Sequence, residues 1–343
     1  MRRHEVIRDL LDAAASDRRT GEVLWRMRTD DGQLDLTYGN AHRPFFVASC
    51  TKLFVTAILA QLRSERRLDW DAPLAGYMPD LDLTGLVVVR GVDHSHTMTV
   101  RQVMAHTAGL ADYFEGRRRD GSTTFGRVIA HDMAWTLDDV LAWTRGMRSG
   151  RPGRGAYSDT GYQLLGALIE RLDRRPFGAA LQARIVAPLG LTATWCFMPV
   201  DVVRYDAIAT LFHGATPLSI PRAMASVQAD GGVVSTLDDG LRFLAAFFGG
   251  TLCDAAILAE LQSQWHAVFP PFEVGFGVMR MRLPRLMTGL RRVPPFVGHG
   301  GASGAVMFRV PEWGLTVVGT VNQLQHRSLA YRVMVQTALA ARG

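Results

Sequence analysis

Along this chain the spacing of apolar positions changes character several times, and each change predicts an element. Met1 to Asp12 carries apolar residues at helical intervals with charged residues between them, a short amphipathic helix. Residues 22–28 and 33–38 alternate apolar with polar around Asp30-Asp31-Gly32 and predict a β-hairpin. From Phe46 to Leu62 the pattern is different. After Lys52 nearly every position is apolar (Leu53, Phe54, Val55, Ala57, Ile58, Leu59, Ala60, Leu62), the mark of a helix buried on all sides.

Pro73 and Pro79 break residues 66–81 into a loop-rich connector. Residues 99–187 are mostly helical, with helices starting near Thr136, over 161–174 and over 177–188, the last stopped by Pro188 and Gly190. Ser235-Thr236-Leu-Asp238 has the form of a capping box before a helix ending at Gly249-Gly250, and residues 254–266 give one more helix. Then the period shortens to two. Residues 273–283, 304–310 and 314–321 predict strands, and a last helix runs from Ser328 to Ala341. Strands at both ends around a helical middle predict an α/β (α+β) chain with one antiparallel sheet built from both termini. The α/β part is expected over residues 1–65 plus 225–343, and a mostly helical subdomain over 66–224.

Composition sharpens one position. Of 38 Lys and Arg residues, 37 are arginine, and the single lysine is Lys52. Arginine stays protonated in proteins, whereas a desolvated lysine can give up its proton and act as a base. Ser49 lies three residues upstream, where the helix should begin, so both side chains share one face of the first turn. A serine hydroxyl is a poor nucleophile until a neighbouring base takes its proton. The pair therefore points to nucleophilic catalysis; the alternative is a solvated lysine at a helix start.

The remaining composition mainly excludes. At 343 residues, 48% hydrophobic and 20% charged, the chain is an ordinary globular one. Its formal charge of +6 is spread rather than clustered, and no nucleic-acid motif accompanies it. An acidic substrate or carrier protein makes better use of that charge. Cys50, Cys196 and Cys253 lack the spacing of a metal site or a disulfide framework. The solvated loop His94-Ser-His96 has no third ligand at metal-site spacing, and neither metal nor cofactor is expected. The N-terminus shows no secretory signal, and no apolar run reaches membrane-spanning length. A cytoplasmic protein is expected.

Several stretches, in order, resemble the serine β-lactamase and penicillin-binding superfamily, in particular its branch of class C β-lactamases, D-alanyl-D-alanine peptidases and related esterases. Ser49-Cys-Thr-Lys52 matches the family's Ser-x-x-Lys motif. His106-Thr-Ala-Gly-Leu110 is similar to a His-Thr-Ser-Gly-Leu segment of these proteins, and Tyr157-Ser-Asp159 resembles their Tyr-x-Asn motif. Gly231-Gly-Val-Val-Ser-Thr236 and His299-Gly-Gly-Ala302 complete the set, the latter in place of the Lys-Thr-Gly strand. The resemblance implies a β-lactamase/transpeptidase-like fold and a serine hydrolase. Ser49 would form an acyl-enzyme, Lys52 or Tyr157 would take its proton, and the amides of Ser49 and Ala302 would hold the oxyanion. Gly300 and Gly301 suit a strand edge that a ligand approaches closely.

Two departures shape the expected substrate. Asp159 replaces the motif's Asn, and a carboxylate beside Lys52 favours the ammonium and weakens it as a base. His299 and Gly300 replace the Lys and Thr that help hold a substrate carboxylate in the family. The first implies that Asp159 is protonated, or binds a cationic or hydroxyl-bearing substrate, or leaves more of the base role to Tyr157; the second favours hydrolysis of a small ester, thioester or amide over a potent lactamase or D-alanyl-D-alanine carboxypeptidase. Acyl transfer to an amine or alcohol acceptor is the alternative, and a non-catalytic sensor module ranks behind both. The Met- and Arg-rich stretch 279–296, including Met287 and Leu290, is read as part of the acyl-pocket rim.

Overall fold

The computed structural model describes residues 2–288 and 292–342. Its centre is an eight-stranded antiparallel sheet. The strand order is His266–Phe269, Phe272–Val274, Met279–Met281, Phe296–Gly300, Ala305–Val310, Leu315–Thr320, Leu24–Thr29, Asp35–Tyr38. The first strand of the chain thus lies beside the last, with Leu24 opposite Thr320 and Thr29 opposite Leu315. The sheet is built from both ends of the sequence, as the change of period predicts.

Alternation along the strands sends side chains to two cores. Val306, Phe308, Leu315 and Val317 pack with Ile7 and Leu11 of helix Arg2–Ala15 and with Ala330, Val333 and Met334 of helix Ser328–Arg342. Ala305, Met307 and Val318 face the opposite way, onto helices Thr51–Ser64 and Leu237–Phe248. Both faces are covered, which is why these strands read as apolar runs rather than clean alternations. The second helix pair sits close to the sheet: a Cβ on Gly240 would come within 2.9 Å of Val318 Cγ1.

Helix Thr51–Ser64 is buried from Thr51 to Ala60 and at Leu62, as its sequence predicts. Phe54 stacks on Phe243 with ring centroids 3.7 Å apart. Burying each such ring stabilises the fold by about 1.5–3 kcal/mol. Residues 66–224 hold several helices, among them Leu74–Tyr77, Val100–Met104, Leu137–Arg145 and Asp159–Asp173. Thr136 caps Leu137–Arg145 in a reciprocal box with Asp139.

The structure corrects several expectations. Ser49 does not lie in the α-helix but in a 3-10 turn, Ala48–Cys50, that precedes it. Cys50 N bonds back to Val47 O at 3.1 Å, and Ala48 takes a left-handed φ of 47°. The stretch 273–283 is a hairpin rather than one strand. Gly277, at φ 78°, reverses the chain between Phe272–Val274 and Met279–Met281 and packs against Thr56, where a Cβ would meet the side chain. The helix expected over 254–266 stops at Leu261, and His266–Phe269 becomes the sheet's edge strand. Thr236, bonded to Asp239 N, caps the helix that follows it, with Asp239 rather than Asp238 at the third position.

Candidate active site

The turn before the buried helix, the end of strand Phe296–Gly300 and the helical part meet around a cavity of about 260 Å³. Ser49, Tyr157 and Asp159 line it together with Gly300, Gly301 and Ala302. Residues distant in sequence therefore converge on one space. Its remaining wall is largely apolar, with Phe114, Phe125, Leu211, Ile220, Met224 and Phe269.

Ser49 is held by its neighbours' backbone. Phe46 pairs with Val234, and Val47 N bonds to Val233 O at 3.0 Å. Ser303 Oγ donates to Phe46 O at 2.9 Å, pinning the glycine strand against the serine turn. A Cβ on Gly301 would come within 2.5 Å of Val47 O, so only glycine permits that approach. Ser49 and Tyr157 line the cavity together, and the Ser49 hydroxyl pulls the Tyr157 phenol down against its burial.

Tyr157 rests on His106, the rings stacked at 4.3 Å. Ala156 N donates to His106 O at 2.8 Å and Ser158 N to His106 Nδ1 at 3.1 Å, so the His106 segment fixes the Tyr157 loop. An accepting Nδ1 requires a neutral ring. Burial, then the nearby Lys52 charge, pushes the imidazole well below its ordinary range and keeps it so. Tyr157 is pushed up, first by burial and then by Asp159, and rests as a neutral phenol.

Lys52 is fully buried. Its Nζ lies 2.6 Å from Asp159 Oδ1 and donates to Asp230 O at 2.6 Å. It also sits 5.2 Å from the Tyr157 ring centroid and 5.1 Å from that of Tyr162. Burial disfavours its charge, but Asp159 and Asp230 more than offset burial and hold Lys52 as an ammonium. Burial raises the Asp159 carboxyl against the pull of Lys52. The expectation that Asp159 favours the ammonium form of Lys52 matches this arrangement.

Two further acids, which sequence reasoning did not single out, complete the surroundings. Asp230 Oδ2 accepts from Tyr113 Oη at 2.7 Å and Gln163 Nε2 at 3.0 Å; burial, then the Asp159 charge, pushes it well above the carboxylate range. Asp112 accepts from the amides of Phe114, Glu115 and Asp159 and is raised to about 7 by burial and by Asp159. Asp230 directly precedes the quoted Gly231-Gly232 stretch, a signal available in the sequence. Asp112 follows the His106–Leu110 segment and carries no motif of its own.

His299 lies behind the cavity wall, 1% exposed, and does not line the space. Its Nδ1 donates to Gly300 O at 2.8 Å, and burial pushes it down to about 3, so it is neutral. Cys50, turned away from the cavity, donates to His299 O at 3.1 Å. Glu115, Arg327 and Tyr331 also line the cavity and were not anticipated. Arg327 is paired with Glu115, with Nη2 donating to Oε2 at 2.9 Å. Of the Met- and Arg-rich stretch, Met279 lines the cavity. Leu290 and the side chain of Met287 lie outside the described residues. No described helix is long and apolar enough to cross a membrane.

Comparison with known proteins shows the family and the fold. A family model described as Beta-lactamase matches residues 5–340. Esterase EstB of Burkholderia gladioli is 29% identical over 194 residues, which cover 54% of this chain and 46% of that protein. An N-acetylmuramyl-L-alanine amidase of Bacillus subtilis is 26% identical over 306 residues, covering 81% and 68% of the two chains. The chain spans less than half the length of the esterase. Among solved structures, D-amino acid amidase from Ochrobactrum anthropi SV3 superposes with a TM-score of 0.80 at 22% identity over 99% of both chains. EstCE1, a hydrolase with promiscuous acyltransferase activity, gives 0.79 at 18% identity over 99% and 98%. The fold is β-lactamase/transpeptidase-like.

Proposed function

Because the chain belongs to the Beta-lactamase family and is a hydrolase of that family, we propose that it cleaves a small, uncharged ester through an acyl-enzyme on Ser49. One observation carries this reading: Ser49 and Tyr157 together line an apolar cavity that Asp159, paired with the buried Lys52, also lines.

The resting proton positions dictate the first step. Lys52 is an ammonium and Tyr157 a phenol, so neither is a base as it stands. Across their 2.6 Å contact Lys52 passes a proton to Asp159, and a neutral buried pair replaces a charged one. Ser49 Oγ then attacks the acyl carbon as its proton goes to Tyr157, whose own proton moves to the Lys52 amine. The amides of Ser49 and Ala302 hold the oxyanion that forms. On collapse the alcohol leaves with a proton from Tyr157, and water repeats the sequence to free Ser49.

An uncharged substrate fits the electrostatics. Among the described lining residues the cation, Arg327, is already paired with Glu115, and His299 is neutral. A β-lactam or D-alanyl peptide carboxylate would enter without a free counter-charge. The esterase among the relatives points the same way. Acyl transfer uses the same intermediate, and the apolar wall of Phe114, Phe125 and Leu211 suits an alcohol or amine acceptor, or an acyl chain delivered by an acidic carrier protein. Product analysis with and without added acceptors separates the two.

A p-nitrophenyl ester series and a fluorophosphonate probe, followed by intact-mass measurement, test the reading. One adduct is expected on the protein and none on Ser49→Ala, which should also lose turnover. An adduct of equal yield on Ser49→Ala, or no turnover of any ester, would refute it.

A further inference from the structure

Gly300 stands where the resembling motif carries threonine, yet the space beside it is filled. A Cβ built on Gly300 would overlap the Tyr331 hydroxyl and come within 2.6 Å of ring carbons Cε1 and Cζ. Tyr331 belongs to helix Ser328–Arg342, far from the strand in sequence. Its ring is wedged between Phe272, with centroids 4.8 Å apart, and Phe308, at 6.4 Å. The residue lines the cavity next to Gly300, Gly301 and Ala302. The hydroxyl is hydrogen-bonded to no other described residue. Burial raises the phenol far above neutral pH, so it keeps its proton.

We propose that Tyr331 is a substrate-binding residue: it supplies, from the C-terminal helix, the hydroxyl that position 300 lacks. It selects acyl groups that carry an uncharged acceptor oxygen, such as an ether or amide oxygen, near the scissile carbonyl. This rests on the reading of Ser49 as the acylated residue. The chemistry follows from what surrounds the hydroxyl. A phenol held by two aromatic neighbours loses little freedom when it donates to a ligand. It offers one hydrogen bond and no charge. Arg327, in the turn just before that helix, is paired with Glu115 and so adds no free counter-charge for a carboxylate. A threonine at position 300 would project from the strand, whereas Tyr331 reaches the same place from the C-terminal helix packed against the sheet. The glycine and the tyrosine are therefore one device, since a side chain at 300 would displace the ring.

p-Nitrophenyl methoxyacetate and p-nitrophenyl butyrate test this, because they differ by one ether oxygen in a chain of equal length. Tyr331→Phe keeps the ring and removes only the donor. A net hydrogen bond of ordinary strength predicts a loss of about 3- to 10-fold in kcat/KM for the methoxyacetate, carried mainly by KM. Butyrate should change less than about 2-fold, since it makes no such bond. Equal changes for both esters, or none for either, would overturn the assignment. Fluorophosphonate labelling of the same two proteins keeps the outcomes apart. Labelled protein with no differential effect sinks only the role of Tyr331. Absence of label in both sinks the acyl-enzyme itself.

Discussion

Asp159→Asn is the most informative single change, because Asp159 decides which proton Lys52 holds. At 2.6 Å the two charges attract by roughly 6 kcal/mol at an effective dielectric of about 20, before either is desolvated. Losing one partner of a buried pair costs about 3–5 kcal/mol when the other stays charged. Lys52 has an escape that a buried arginine lacks, since it can release its proton. In the native protein Lys52 binds its proton more tightly than in the unfolded chain. Its stabilisation is therefore present below the ordinary lysine range and lost as pH rises above it. In the variant burial acts with less opposition and pushes Lys52 the other way. Stability should then rise with pH up to the ordinary lysine range. The variant should lose no more than about 1–2 kcal/mol at pH 9, and more at pH 6, by the same pair energetics. Because its amine is then free to accept a proton, kcat/KM near pH 8 should stay within about 3-fold of the native value or exceed it. Chemical unfolding from pH 5.5 to 9.5 and ester hydrolysis over the same range measure both. A loss of about 100-fold at every pH, with Ser49 still labelled, would mean that Asp159 binds the substrate directly. Stability of the variant that falls relative to the native protein as pH rises would refute the electrostatics.

Lys52→Arg keeps the charge but forbids its loss, so kcat/KM should fall by about 10²- to 10⁴-fold, read from ester hydrolysis at pH 8. Asp112 titrates near 7 when folded, so its protonated form stabilises the protein at low pH and that contribution is lost as pH rises from about 4 to 7. Asp112→Asn should therefore flatten the decline in melting temperature between pH 5 and pH 8. A decline as steep as the native one would show that another group is responsible.

The sequence by itself determined the local chemistry and the order of the elements. A lone lysine three residues after a serine is a statement about one turn of chain, and that turn proves to be 3-10 rather than α. The buried helix was legible because apolar residues surround it on every side, and the sheet from both termini because the period changes from helical to two. Tertiary structure decided what alternation alone does not encode. The apolar pattern runs on through Gly275–Val278, so the hairpin 272–281 looks like one strand until Gly277 meets Thr56. Asp112 and the Glu115–Arg327 pair carry no local signature, because what matters about them is distance to the site rather than position in a period. The same holds for Gly300 and Tyr331. A glycine in a strand signals that something approaches closely, but which side chain arrives is settled only when the last helix packs onto the sheet.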